Sequence, residues 1–266
     1  MLDTSSTLAD TPGVDAQPQL ARRHKAMEAT FGTRFLNTFV SPYLVIEDHV
    51  IACPVGVRFY RKDFMFLSKQ LYLEYQYRGW RDFDVALLDR YAGLVSNKLA
   101  ALDATMQQTI NRLQKLLEQQ GLQADLTLWP KKYVVDVPII AAQARAYLAV
   151  LQKMDRVYTL TGTANLLGVI DSTQRAQAEL QAKRAVRAFR SVLKSESTRL
   201  YREAERIATE QRQAGKAESV VAALVQQQAQ EIAEFEATAQ QHAEDEGALA
   251  QLATSGDSPA CVAAVA

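Results

Sequence analysis

The chain has 266 residues, a formal net charge of zero, 48% hydrophobic and 23% charged residues, a composition ordinary for a globular protein with one large or two small cores. Zero net charge excludes a global basic field, so any attraction for nucleic acid must come from local segregation of charge. No apolar run reaches the roughly 18 residues of a membrane span, the N-terminus lacks the pattern of a secretory signal, and the two cysteines form no disulfide framework, so a reduced cytoplasmic protein is expected.

Residues 1–18 are rich in Ser, Thr, Asp and Pro and are expected to be disordered. A short helix is predicted over 19–31, ended by Gly32. Residues 43–59 are β-branched and broken by Glu47, Asp48 and Pro54, which reads as one or two short strands. From 59 to 78 the pattern is helical and unusually aromatic, and Gly79 marks a break. Over 83–119, Leu88, Tyr91, Val95, Leu99, Leu102, Met106, Ile110, Leu113 and Leu117 recur at steps of three or four. They form one stripe that must be buried. A helix of that length spans about 55 Å, which suggests a bundle or a dimer spine, with Gly121 as its terminator.

Residues 122–137 change period. Leu122, Ala124, Leu126 and Leu128 alternate with Gln123, Asp125, Thr127 and Trp129, and a second alternation follows Pro130-Lys131-Lys132. This predicts two strands around a turn. Pro138 then suits the first turn of a helix running to about 161, followed by Gly162. Asp171-Ser172-Thr173 looks like the cap of a second long helix reaching 213. A last acidic, Ala- and Gln-rich helical arm is expected within 214–250, where Val221, Val225, Ile232 and Phe235 keep a heptad-like spacing. Residues 251–266 read as a loose tail.

The catalytic inventory is thin. His24, His49 and His242 lie in three separate segments, none at metal-ligand spacing with Cys or a carboxylate. TGTANLLG at 161–168 lacks the Gly-Lys-Ser/Thr of a phosphate loop. Glu203 and Glu205 sit in a helix full of charge and read as surface. No enzyme, metal, cofactor or small-molecule substrate is expected.

Charge segregation says more. Residues 171–202 hold eight cations (Arg175, Lys183, Arg184, Arg187, Arg190, Lys194, Arg199 and Arg202) against three anions, whereas 203–250 hold three cations against ten anions. Lys183, Arg187, Arg190 and Lys194 step by four, three and four, so they share a helix face that can track phosphates. The same row also fits a solvated face, or one paired with the acidic final helix. Residues 58–81 interleave Arg58, Arg61, Lys62, Lys69, Arg78 and Arg81 with eight aromatics. Such a mixture can stack on single strands, although at helical spacing several of these rings face the core. The 122–137 ribbon would fit a DNA major groove, offering Gln123, Thr127 and Lys132, with Lys131 at the turn. Asp125 and Asp136 on the same face oppose that, and the ribbon equally fits a hairpin covering the bundle.

Residues 144–194 contain Tyr147-Leu148, then Asp155, then Gly168-Val169-Ile170-Asp171, then a helix with Arg184, Arg187 and Phe189. In these features the segment resembles a family of proteins encoded on integrating conjugative elements and conjugative plasmids. One branch of that family comprises AcaB-like conjugation regulators, related in fold to ribbon-helix-helix factors. The resemblance implies a strand followed by two helices, a homodimer, and ribbon residues in the major groove of double-stranded DNA. This chain departs from a minimal module of that kind in its longer helices, the two ribbon aspartates and the acidic C-terminal arm.

The expectation is therefore a mainly α protein with a small β element: a long-helix bundle in which a strand or hairpin precedes two helices, ribbon-helix-helix-like, with its core over 19–213. Its expected role is a DNA-binding transcriptional regulator of conjugative transfer. Lys131 and Lys132 would approach DNA first, Arg175, Lys183, Arg187, Arg190 and Lys194 would contact phosphates, and Gln123 and Thr127 would contact bases. The alternative is a non-enzymatic helical assembly protein of a conjugative element, binding partners through the 216–247 helix.

Overall fold

The computed structural model describes residues 16–123, 126–213, and 226, 229, 230, 232 and 233. The expected tails at 1–15 and 251–266, and all but five residues of the expected arm at 214–250, lie outside the described residues. The elements in order are α1 (Ala16–Phe31), α2 (Thr33–Thr38), β1 (Leu44–Ile51), α3 (Pro54–Phe59), a π-helical turn (Tyr60–Phe64), α4 (Met65–Arg78), α5 (Val85–Gln119), β2 (Tyr133–Ile139), α6 (Ala142–Leu166) and α7 (Ser172–Gln213). The protein is mainly α with a small β element. The chain divides into two compact units, Met1–Ser197 and Thr198–Ala266, with the division inside α7.

In the first unit, α5 follows directly from its sequence pattern. Asp84 caps it by accepting the Ala86 N–H at 2.9 Å, and all nine residues of the apolar stripe are buried. They are buried within one chain, so the stripe supplies no argument for a dimer. α6 packs along α5, and the Lys153 ammonium meets Asp103 at 2.8 Å. α6 runs past Gly162 to Leu166, because Gly162 carries no chain reversal. The reversal falls at Gly168, whose φ of +72° suits glycine. Pro138 stands inside β2, opposite Val45, rather than in the first turn of α6.

The small sheet differs from the hairpin expected over 122–137. β2 pairs antiparallel with the distant β1, from Leu44↔Ile139 to Ile51↔Tyr133, with a bulge between Ile46 and His49. Residues 122, 123 and 126–129 form no strand. There the period-2 pattern is turned over: the Thr127 hydroxyl bonds the Thr163 hydroxyl at 2.6 Å and the Trp129 indole N–H donates to Thr159 Oγ1 at 3.0 Å. Leu126 and Leu128 stand in solvent instead. Hydrogen bonds to the threonine row of α6 thus outweigh burial of two leucines.

Of the residues that carry the family resemblance, Tyr147, Phe189, Asp155 and Asp171 are structural here. Tyr147 is fully buried and stacks on Phe189 at 5.8 Å, joining α6 to α7. The Asp155 carboxylate accepts the backbone N–H groups of Ala52 and of Cys53, the latter at 3.1 Å, and so holds the start of α3. Asp171 accepts the Gln174 N–H at 2.7 Å while Gln174 accepts the Asp171 N–H at 3.1 Å, a reciprocal cap on α7. In the second unit, the C-terminal part of α7 holds Arg206 between Glu203 and Glu210.

Candidate nucleic-acid interface

α3, the π turn and α4 form one continuous helical run over 54–78. The wide turn at 60–64 resets which side chains face inward, a feature often found at functional sites. Tyr60 and Phe64 turn inward and stack at 5.1 Å, while Arg61 stays exposed. Asp63 also turns inward, leaving 2% of its side chain exposed, and its carboxylate meets Arg190 Nη1 of α7 at 3.0 Å. Burial pushes the Asp63 carboxyl up to about 6, and the charges of Arg190, Lys62 and Arg187 oppose that rise. The π turn therefore seats an acidic residue where three cations from two helices feel it.

The sheet adjoins the same turn. The Arg61 guanidinium lies 4.6 Å from the centroid of the Tyr133 ring, a cation–π contact. Tyr133 opens β2 and directly follows Lys131 and Lys132, both exposed. Cations thus succeed one another from Lys131-Lys132 through Arg61 and Lys62 to Arg187 and Arg190. Asp136, the ribbon carboxylate that opposes DNA, is neutralised in place. Arg22 of α1 grips it with two hydrogen bonds of 2.6 Å and reaches Asp48 at 2.7 Å. That grip holds the Asp136 carboxyl below the usual carboxylate range. Asp125 lies outside the described residues.

The sequence-derived site residues fall into two sets. Gln123, Lys131, Lys132 and Arg187 are exposed, and Lys194 is half-buried. The contacts of four others are specific. Arg175 pairs with Glu179 at 2.8 Å, Lys183 Nζ sits 5.8 Å from the Tyr158 ring centroid, Arg190 holds Asp63, and the Thr127 hydroxyl is bonded to Thr163. Of the aromatics at 58–81, Phe59, Tyr60, Phe64, Phe66, Tyr72 and Tyr77 are buried, so that segment builds core and presents mainly its cations. Arg61 and Lys62 are the residues that sequence reasoning left out of the site. Their signal was the basic half of that aromatic run, but nothing in the sequence marks the π turn that directs them.

Among the described residues no group of three or more His, Cys, Asp or Glu could hold a metal ion, and no helix is long and apolar enough to cross a membrane. His49 is buried, and burial lowers its pKa. Cys53 caps α3 by accepting the Gly56 N–H at 3.0 Å.

No protein-family model matches the chain, and no curated protein matches it either. Among solved structures it is similar to selenomethionine-containing AcaB from uropathogenic E. coli, with a TM-score of 0.58 and 17% sequence identity. The match covers 74% of this chain and 97% of that one. The likeness is one of fold.

Proposed function

We propose that this chain is a non-enzymatic, DNA-binding transcriptional regulator associated with conjugative transfer, acting in the cytoplasm as a homodimer on double-stranded DNA. The observation that carries the reading is the π turn at 60–64, which links the lysine end of the sheet to the basic helix α7 through Arg61, Lys62 and Asp63. A neutral protein thereby concentrates cations in one neighbourhood, the electrostatic footprint that phosphate backbones require. The fold shared with AcaB and the family resemblance of residues 144–194 support the conjugative setting.

In this reading Lys131, Lys132, Arg61, Arg187 and Lys194 contact phosphates, and Gln123 is the candidate for a base edge. Arg190 acts indirectly, by fixing Asp63 and with it the direction of the π turn. Arg175 and Lys183 brace α7 rather than touch DNA. The test is fluorescence anisotropy with labelled duplex from the protein's own gene neighbourhood and a scrambled duplex of equal length. Tighter binding to the native sequence, weakened by Lys131→Ala with Lys132→Ala, supports the regulator. No binding to either duplex at low salt overturns it and favours the assembly reading.

A further inference from the structure

A groove of about 660 Å³ runs between α1, the π turn and β2, a volume within the range of small-molecule sites. Its aromatic lining is the half-buried Tyr133 ring with the largely buried Tyr60 beside it and Phe64 behind, and its charged lining comes from Arg22, Lys25, Arg61 and Asp136. Arg22 is already committed to Asp136 and Asp48. Glu47, outside the lining, is taken up by Arg23 at 2.8 Å. Lys25 and Arg61 are exposed and have no carboxylate partner among the described residues. The Tyr60 hydroxyl is hydrogen-bonded to Thr30.

Two cations without acidic partners beside an aromatic wall define a ligand with two parts. The cations require an anion, best a phosphate, which accepts from a guanidinium and an ammonium at once. The aromatic wall favours a flat π system beside the anion. We infer that this groove is a binding site for a phosphorylated aromatic small molecule of the mononucleotide class, with Lys25 and Arg61 on the phosphate and the Tyr60–Tyr133 wall beside the base. The site is distinct from the duplex interface in ligand and in most of its residues, and its test contains no DNA.

The experiment is calorimetric titration of the full chain with adenosine 5′-monophosphate, and separately with adenosine and with inorganic phosphate. Saturable binding of the monophosphate at one site per chain is expected, with either half alone about tenfold weaker or worse. Arg61→Ala and Lys25→Ala each weaken it about tenfold while leaving the melting temperature unchanged, and Lys115→Ala, at an exposed position of α5, leaves it unaltered. Wild-type amide shifts at 25, 61 and 133 should move on titration, a readout that needs no variant. Absence of saturable binding into the millimolar range, undiminished binding in the Arg61→Ala, Lys25→Ala double variant, or shifts confined to residues elsewhere would overturn the assignment. Equal affinity for inorganic phosphate would overturn the aromatic half of it.

Discussion

Arg190→Ala tests whether Arg190 is the partner of a buried carboxylate rather than one more of the cations proposed to contact DNA. The substitution removes the partner of a carboxylate that is 2% exposed. Leaving a buried charge unpaired costs about 3–5 kcal/mol, a large part of the roughly 5–15 kcal/mol that holds a domain together. At about 2–4 °C per kcal/mol for a chain of this size, the melting temperature should fall by roughly 6–20 °C. The pH dependence follows from Asp63. Its folded pKa of about 6 lies above its ordinary 3.8, so between those values the folded state holds the proton more tightly. Stability from this group is present at low pH and is lost as pH rises through 6. Without Arg190 the folded pKa climbs further, so the deficit relative to wild type is largest at pH 8 and shrinks toward pH 5. Urea melts of wild type, Arg190→Ala, Asp63→Asn and the double variant at both pH values measure this, with a coupling of about 1–3 kcal/mol expected at pH 8. Wild-type stability of Arg190→Ala at pH 8, or a deficit that ignores pH, would refute the reasoning.

A Cβ added at Gly56 would lie 2.5 Å from Asp155 Oδ1, so Gly56→Ala should lower stability by about 1–3 kcal/mol in a urea melt. Asp155→Ala leaves the Ala52 and Cys53 N–H groups without their acceptor, with an expected loss of about 2–5 kcal/mol; a loss under half of that would mean water replaces the carboxylate. Cys53 is fully buried, and burial pushes its thiol well up. In a Cys261→Ser background it should therefore resist Ellman's reagent at pH 8 until denaturant is added, and rapid reaction of the native chain would contradict that burial.

What the sequence shows and hides follows from the range of the interactions. The α5 stripe was legible to the residue, because a 3.6-residue period must be buried whatever its partner is. β1 was legible as a β-branched run, and the α7 start as an Asp-Ser-Thr cap. The pairing of β1 with β2 was not, since Ile51 and Tyr133 meet only after most of the bundle intervenes. The alternation at 122–129 pointed to a strand because leucine burial was assumed to decide it, whereas Thr127 and Trp129 bond to α6. Along α7, Arg187 and Arg190 look equivalent at their helical spacing. The contact between Arg190 and the inward-turned Asp63 of another helix depends on a π segment with no local signature.

The salt dependence of duplex affinity tests the central claim most directly. For a protomer using Lys131, Lys132, Arg61, Arg187 and Lys194 on phosphates, log K should fall against log salt with a slope of about −4 to −5, and twice that for a dimer. Lys131→Ala with Lys132→Ala should flatten the slope by about 2 per protomer while leaving the melting temperature unchanged. A slope near zero, or one that the lysine variants do not alter, would contradict a phosphate-tracking surface at this end of the sheet.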